Sequence, residues 1–170
     1  IIISPYYMEL LQREINIASQ CRHPNLLQFI CATQNDSNRL LIVTEKMDMA
    51  LRTLIEQQHG MNRSQLQDEQ AKLIAMDVAR GLSYLHSKTP NPIIHRDVSS
   101  ANVLLSIDNG AVRRAKISDY GSANFAKACK TAYPGALIYA PPEASTTRHD
   151  PKVNIFYSIC IFTNNKNRYA

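Results

Sequence analysis

The four cysteines of this 170-residue chain show none of the spacings that bind metal or build disulfide frameworks. There is no CxxC pair and no neighbouring pair of histidines to complete a zinc site. The sequence therefore indicates neither a metal centre based on cysteine nor a stapled fold, and we expect free, buried thiols. They are Cys21, Cys31, Cys129 and Cys160.

Long apolar runs are also missing. No stretch approaches the roughly 18 consecutive apolar residues that a membrane-spanning helix needs. The opening IIISPYY is short and lacks the basic flank of a signal peptide. We therefore expect a soluble, cytoplasmic protein without membrane insertion.

The chain has no concentrated basic patch, although its net charge is +5 and its pI is about 9.1. The densest group is Arg113, Arg114 and Lys116, and the other basic residues are dispersed. Nucleic-acid-binding proteins usually cluster such residues on one face. We therefore expect no nucleic-acid partner, and the mild basicity suits a protein that handles polyphosphate.

The patterns that are present predict helices and strands within one domain, as the length favours. Ser4 and Pro5 are typical of a helix start, and the apolar positions from Met8 to Ala18 recur every three or four residues before the sequence HPN at 23–25. Two β-branched runs at 26–33 and 39–47, separated by QNDSN, predict an antiparallel hairpin.

A long helix is predicted next. Ser64 and Gln67 form a capping box, and an apolar stripe runs from Leu66 to Leu85. Short strands are then predicted at 93–95, 102–106 and 115–118, with turn residues at 108–110.

Three motifs carry the chemistry of the second half. His95, Arg96 and Asp97 are followed by Asn102 in IIHRDVSSANVLL. Further along the chain come the triplets DYG at 119–121 and PPE at 141–143. In this order and spacing they resemble the catalytic loop, the metal-binding DFG motif and the APE motif of protein kinases. The stretch PGALIYAPPEA is similar to the activation-segment ending of the tyrosine-kinase-like group.

The resemblance implies an α+β fold with two lobes, present only in part. Residues 1–47 would supply the family's αC helix, two strands of the small lobe and the hinge. Residues 48–161 would supply the large lobe through the start of the αF helix, and 162–170 form a divergent tail.

The resemblance also implies a site for ATP and Mg²⁺. Phosphoryl transfer needs aligned oxygens and neutralised phosphate charge rather than covalent work by the protein. Asp97 can accept the proton of a substrate hydroxyl, and Asn102 and Asp119 offer the hard oxygen ligands that Mg²⁺ prefers. The alternative is that these are ordinary turn-forming residues.

Further roles are implied in the small lobe and hinge. Glu14 corresponds to the αC glutamate that pairs with a strand lysine. The alternative is an exposed, solvated glutamate, which the sequence cannot distinguish from it. Thr44 corresponds to the gatekeeper, and Glu45 to Met47 correspond to the hinge whose backbone binds adenine.

Two residues of the catalytic loop have implied structural or regulatory roles. His95 is expected to pack below Tyr120. Arg96 resembles the arginine that pairs with a phosphorylated activation loop, where Ser122, Thr131 and Tyr133 remain equal candidates.

Several departures from the family pattern bear on activity. No lysine and no Gly-rich loop precede Glu14, so we expect an incomplete and inactive fragment. Asn154 replaces the usual aspartate that braces the catalytic loop, and Ala136 follows Gly135 where the family has threonine. Ala18 is small for its position, and Ser99 is typical of neither serine/threonine nor tyrosine kinases.

Three function classes follow for the protein. The first is a serine/threonine kinase of the tyrosine-kinase-like group that modifies a protein substrate. The second is a pseudokinase or scaffold that only binds, and the third is a small-molecule phosphotransferase, which would not be expected to carry the ending at Glu143. The sequence leaves the oligomeric state open.

Overall fold

A computed structural model describes residues 5–36, 40–60, 66, 68–125, 152–155 and 158. The elements are α1 (Pro5–Gln20), β1 (Phe29–Gln34), β2 (Leu40–Thr44), β3 (Met49–Ala50), α2 (Leu51–Gly60), α3 (Asp68–His86), β4 (Ile93–Ile94), β5 (Val103–Asp108), β6 (Ala111–Ile117) and β7 (Asn124–Phe125). Residues 152–155 and 158 are also helical. This mixture of helices and small antiparallel sheets confirms the α+β class.

The strands form three small sheets in the described part of the chain. β1 pairs with β2, β5 lies between β3 and β6, and β4 pairs with β7, and all of these pairs are antiparallel. The predicted hairpin is confirmed, but its first strand begins at Phe29 rather than at residue 26. Leu26 instead forms a parallel bridge with Ile117, and the Leu27 N–H donates to the Ile117 carbonyl at 2.8 Å. The chain is therefore tied to β6 before the hairpin begins.

Helix α1 presents one buried side to the rest of the protein. Ile17 and Ala18 are buried on its last turn, and Cys21 is buried directly after it. The helix ends at Gln20, just before the HPN sequence, as the pattern predicts. Lys88 donates to the Gln20 carbonyl at 2.9 Å and so satisfies one of the carbonyls at the helix end.

Helix α3 packs against β6, and its buried stripe confirms the predicted one. The buried apolar residues are Ile74, Val78, Leu82 and Leu85. Gly81 lies where the helix meets the HPN loop, because a Cβ built there would be 2.9 Å from the Asn25 carbonyl oxygen. The helix begins at Asp68, and the predicted capping pair, Ser64 and Gln67, falls outside the described residues.

Sequence analysis missed helix α2. Leu51 is fully buried, and Leu54 and Ile55 pack against the core one turn later, which is the spacing of an amphipathic helix. This one-turn signal is weaker than the stripe of α3. The strands β3 and β7 were missed as well, because two residues are too few to show a periodic pattern.

Both strands of the β1–β2 hairpin carry exposed apolar side chains. Ile30, Leu41 and Val43 are 59%, 44% and 37% exposed. Cys31 is an exposed free thiol on β1, so the expectation that it is buried is wrong, whereas Cys21 is free and buried as expected. A two-stranded sheet buries little of its own surface, which explains the exposure.

Candidate active site

The catalytic-loop residues lie between β4 and β5, where sequence analysis predicted them. His95 is fully buried and Arg96 is 2% exposed, with a left-handed φ of 66°. The Arg96 N–H donates to Asn154 Oδ1 at 2.8 Å, and Arg96 Nε donates to the Ser122 carbonyl at 2.8 Å. The loop is therefore held from two sides, by the helical segment at 152–155 and by the residue after DYG.

Asp97 and Asn102 are joined directly. Asn102 Nδ2 donates to the Asp97 backbone oxygen at 2.9 Å and to Asp97 Oδ2 at 3.0 Å. The Asn102 backbone is fixed as well, since its N–H donates to the Ser99 carbonyl at 3.0 Å and its carbonyl accepts from the Ser118 N–H at 2.8 Å. The structure therefore brings the predicted general base and a predicted metal ligand together.

The DYG segment follows β6 and meets the catalytic loop from the other side. Asp119 is exposed and adopts a left-handed φ of 64°, and its Oδ1 accepts from the Gly121 N–H at 3.0 Å. The Tyr120 ring is buried, with its centroid 5.7 Å from that of His95. The expected packing of His95 against Tyr120 is confirmed.

His95 is a structural residue of this site. Its Nε2 donates to the Ser118 carbonyl at 3.0 Å. Burial lowers the pKa of His95, although the Ser118 carbonyl and the carboxylates of Asp119 and Asp97 act in the opposite direction. The neutral ring therefore tethers the loop to the strand before DYG.

Glu14 reaches this site from helix α1. A Cβ built on Gly121 would be 3.7 Å from Glu14 Oε2 and 3.1 Å from Asp119 Oδ1, so the two carboxylates flank Gly121. Partial burial and then the charge of Asp119 raise the pKa of Glu14. Two acids, one from helix α1 and one from the DYG segment, therefore lie close to each other, and the charge of Asp119 disfavours ionisation of Glu14.

The hinge residues follow β2. Thr44 Oγ1 donates to the Glu45 carbonyl at 3.2 Å, and the Glu45 N–H donates to the Gln28 carbonyl at 3.0 Å. The Glu45 carboxylate accepts from Lys116 Nζ at 2.6 Å and from the Gln28 N–H at 2.7 Å. One carboxylate oxygen and the backbone N–H of Glu45 are therefore already held by the protein, and Met47, two residues further on, is half-buried.

Sequence reasoning missed Lys116 as a partner of the hinge. Its side chain is only 11% exposed, and it reaches Glu45 from β6 across 71 positions of sequence. No local pattern marks such a pair. The available signal was a lysine between the apolar residues Ala115 and Ile117 of β6.

Asn102 and Asp119 offer a donor set that fits Mg²⁺. Since Asn102 Nδ2 is used by Asp97, the side-chain oxygen of Asn102 is the atom that can meet a cation. Asp119 adds an exposed carboxylate. In the described part of the chain no three His, Cys, Asp or Glu residues cluster as a metal cage. An amide and a carboxylate fit an ion that keeps waters and takes phosphate oxygens as its other ligands.

Other predicted features lie outside the described residues, namely Thr131, Tyr133, Gly135, Ala136 and the PPE triplet at 141–143. Ala18 is 5% exposed and Ser99 is 4% exposed, so both unusual residues are part of the packed interior. Among the described helices, none is both long and apolar enough to cross a membrane.

Comparisons with known proteins agree with this geometry. Residues 4–167 match the model of the protein kinase domain. The chain is 37% identical over 163 residues to the human serine/threonine-protein kinase TNNI3K, a match that covers 91% of this chain and 18% of that protein. It is 34% identical over 149 residues to serine/threonine-protein kinase 12 of Arabidopsis thaliana, which covers 84% of this chain and 30% of that protein.

A solved structure shares the fold. The crystal structure of the yeast RNA Pol II CTD kinase CTDK-1 complex matches with a TM-score of 0.80 and 24% identity, covering all of this chain and 54% of that one. The chain thus spans about a fifth to a third of the length of the two curated relatives named above. By the extent of the domain match and the identity to these relatives, the chain belongs to the protein kinase domain family.

Proposed function

We propose that this chain carries the catalytic residues of a protein kinase that transfers the γ-phosphoryl group of ATP to a serine or threonine hydroxyl of a protein substrate. The observation that carries the proposal is the double hydrogen bond from Asn102 Nδ2 to Asp97. It fixes a proposed general base and a proposed metal ligand next to each other on one loop, and phosphoryl transfer depends on the positioning of both groups.

Asp97 is the proposed general base. Its carboxylate is held by Asn102, and its backbone neighbour Arg96 is held by Asn154. A carboxylate fixed in this way can orient the substrate hydroxyl and accept its proton without reorganising during the reaction.

Asn102 and Asp119 are the proposed Mg²⁺ ligands. When bound, the ion neutralises the charge of the β and γ phosphates. The contribution of the protein is to fix the two ligands: the Ser118 backbone holds the Asn102 carbonyl, and the Gly121 N–H holds one oxygen of Asp119.

ATP is the proposed nucleotide, with the adenine bound by the backbone at 45–47 and with Thr44 behind it. Glu14 is proposed to accept a lysine that grips the phosphates. The raised pKa of Glu14 supports this role, because burial and the charge of Asp119 disfavour its charged form and a lysine beside it would favour that form.

The finer assignments are part of the same proposal. Serine/threonine specificity and membership of the tyrosine-kinase-like group are supported by the two serine/threonine-kinase relatives and by the sequence PGALIYAPPEA. The division into a partial small lobe and hinge at 1–47, a partial large lobe at 48–161 and a tail at 162–170 stays a prediction, as do the cytoplasmic location and the inactivity of the 170-residue chain alone.

A scaffold is the second candidate function. It is favoured by the two acids Glu14 and Asp119 on either side of Gly121, and by Asn154 and Ala18 in place of charged or larger family residues. Such a protein would bind partners or nucleotide without turnover.

Radiolabelled transfer to a degenerate peptide library distinguishes these functions. The full-length protein is compared with Asp119→Ala and with Asp108→Ala, an exposed acid on the adjacent hairpin that serves as the matched control. The kinase hypothesis predicts label on serine and threonine with the wild type and with Asp108→Ala, and loss of that label with Asp119→Ala. Label confined to tyrosine would refute the specificity, and equal turnover in all three proteins would refute the site.

A further inference from the structure

Asn154 connects the catalytic loop to the end of helix α3. Its side chain is fully buried and makes two contacts of 2.8 Å. Its Oδ1 accepts from the Arg96 N–H, and its Nδ2 lies against His86 Nε2. His86 is the last residue of α3, so three separate parts of the chain meet at one amide.

The direction of both hydrogen bonds follows from the Arg96 backbone. A peptide N–H can only donate, so the atom of Asn154 that faces it must be the oxygen. The amide nitrogen then faces His86, and an amide NH₂ has no lone pair to offer. His86 Nε2 must therefore be the acceptor, which requires a neutral ring with its proton on Nδ1.

Two other histidines of the chain show the opposite arrangement. His95 Nε2 faces the Ser118 carbonyl, which can only accept, so that ring carries its proton on Nε2. His23 Nδ1 accepts from the Asn25 N–H at 3.1 Å, so a neutral His23 also carries its proton on Nε2. His86 differs from both, and its contact with Asn154 explains the difference.

We propose that His86 is a positioning residue for Asp97, acting through Asn154 and the Arg96 N–H, and that Asn154 holds it in the tautomer protonated on Nδ1. An aspartate at 154, the residue usual in the family, would offer an acceptor oxygen to both neighbours. His86 would then have to donate from Nε2. The exchange of one oxygen for NH₂ at position 154 therefore reverses the hydrogen bond at the end of α3.

The consequence for catalysis is a requirement for an acceptor at position 86. Without an acceptor at position 86, the fully buried NH₂ group of Asn154 loses its hydrogen bond to the end of α3. A buried donor without a partner is costly, so a rearrangement that brings it into contact with water is favoured. Such a rearrangement would pull Oδ1 from Arg96 and loosen the residue next to Asp97. This catalytic part rests on the proposed function, whereas the tautomer does not.

The tautomer is tested by long-range ¹H–¹⁵N NMR of the full-length protein labelled on histidine, near neutral pH. The His86 signal is assigned by its loss in His86→Gln. The proposal predicts an unprotonated Nε2 and a protonated Nδ1 for His86, and the reverse for His95 in the same spectrum. A His86 ring protonated on Nε2, alone or together with Nδ1, would overturn the proposal.

The role of Asn154 is tested in the same way with Asn154→Asp. The variant should gain a proton on His86 Nε2 while the His95 signals stay unchanged. Ser87→Ala is the matched control, because the Ser87 hydroxyl donates to the Tyr84 carbonyl at 2.9 Å, at the end of α3 and apart from the contacts of Asn154. An unchanged His86 pattern in a folded Asn154→Asp protein would show that Asn154 does not set the tautomer.

Steady-state kinetics test the positioning role. His86→Leu should lower kcat by at least about tenfold with the KM for ATP unchanged, since a small displacement of a catalytic group is costly and the hinge is remote from it. His86→Gln restores an acceptor and should recover part of kcat. Equal kcat in wild type and His86→Leu would refute the positioning role. If the wild type itself shows no turnover, the proposed function fails, and the spectrum still decides the tautomer.

Discussion

Lys116 Nζ lies 2.6 Å from Glu45 Oε1 and so joins strand β6 to the hinge segment that follows β2. The lysine side chain is 11% exposed and the glutamate side chain is 30% exposed, so both charges are largely removed from water. The Gln28 N–H donates to the same carboxylate oxygen at 2.7 Å. This pair connects β6 to the segment where adenine is proposed to bind.

Lys116→Met should lower the free energy of unfolding by about 1–3 kcal/mol, the range for a lost hydrogen bond to a charged group. Lys116→Arg should retain part of the stability. Lys72→Met, an exposed position on α3, is the control and should change stability by less than about 0.5 kcal/mol. Urea denaturation measures all three, and equal effects of Lys116→Met and Lys72→Met would contradict the importance of the pair.

The same pair predicts a pH dependence. Burial raises the pKa of Glu45, but the hydrogen bonds from Lys116 and Gln28 together lower it by more. The pKa therefore lies below the ordinary value of 4.5. A depressed pKa in the folded state gives stability that is complete above pH 4.5 and is lost as the pH falls through the folded value. The difference between wild type and Lys116→Met should therefore shrink in acid.

Glu14→Gln should show the opposite pH dependence. Burial and Asp119 raise the pKa of Glu14 above 4.5, so its charge opposes folding once the pH exceeds the folded value. The variant should melt at a higher temperature than wild type near neutral pH and at the same temperature below pH 4.5. Calorimetry at the two pH values measures this. A lower melting temperature near neutral pH would show that the carboxylate has a stabilising cation partner.

Tyr120→Phe and Tyr84→Phe should change stability in opposite directions. The buried Tyr120 hydroxyl has no hydrogen-bond partner in the described part of the chain, and burial raises its pKa, with smaller contributions from Cys21 and Tyr84. Removing that hydroxyl should stabilise the protein by about 1 kcal/mol. Removing the Tyr84 hydroxyl, which accepts from the Arg22 N–H at 3.2 Å, should destabilise it by about 1 kcal/mol. Thermal unfolding of the pair checks the signs, and destabilisation by Tyr120→Phe would mean that the hydroxyl is hydrogen-bonded.

Gly81→Ala should destabilise the contact between α3 and the HPN loop. The new Cβ would lie 2.9 Å from the Asn25 carbonyl oxygen and 3.1 Å from Ile117 Cδ1. Forcing a methyl group into a packed site costs about 1–3 kcal/mol. Ala79→Ser, on the exposed side of the same helix, is the control. A melting temperature unchanged by Gly81→Ala would show that the helix can move away without cost.

Much of this molecule could be predicted from local pattern. The apolar stripe of Ile74, Val78 and Leu82 predicted helix α3, because these residues recur at the spacing of one helix face. Asp97, Asn102 and Asp119 were recognisable because they lie in motifs that resemble those of protein kinases in order and spacing, and their residue types suit the chemistry. Their roles as base and metal ligands remain predictions until they are tested by mutation.

The remaining contacts could not be predicted because they join distant parts of the sequence. Asp77 Oδ2 accepts from the Ala115 N–H at 2.9 Å across 38 positions, and Asn25 Nδ2 donates to the Ala115 carbonyl at 3.1 Å across 90 positions. Both polar side chains are buried by tertiary packing rather than by local preference. The meeting of His86 and Asn154 has the same origin, since nothing near either residue indicates the other.

The central claim is that Asp97 acts as the general base of phosphoryl transfer, and the most direct test separates turnover from nucleotide binding in Asp97→Asn. The full-length wild type, Asp97→Asn and the control Asp108→Asn are compared for kcat with a peptide substrate and for the Kd of ATP. The account predicts a loss in kcat of about 10² to 10⁴ in Asp97→Asn alone, with the Kd nearly unchanged in all three proteins. Equal kcat in wild type and Asp97→Asn would contradict it.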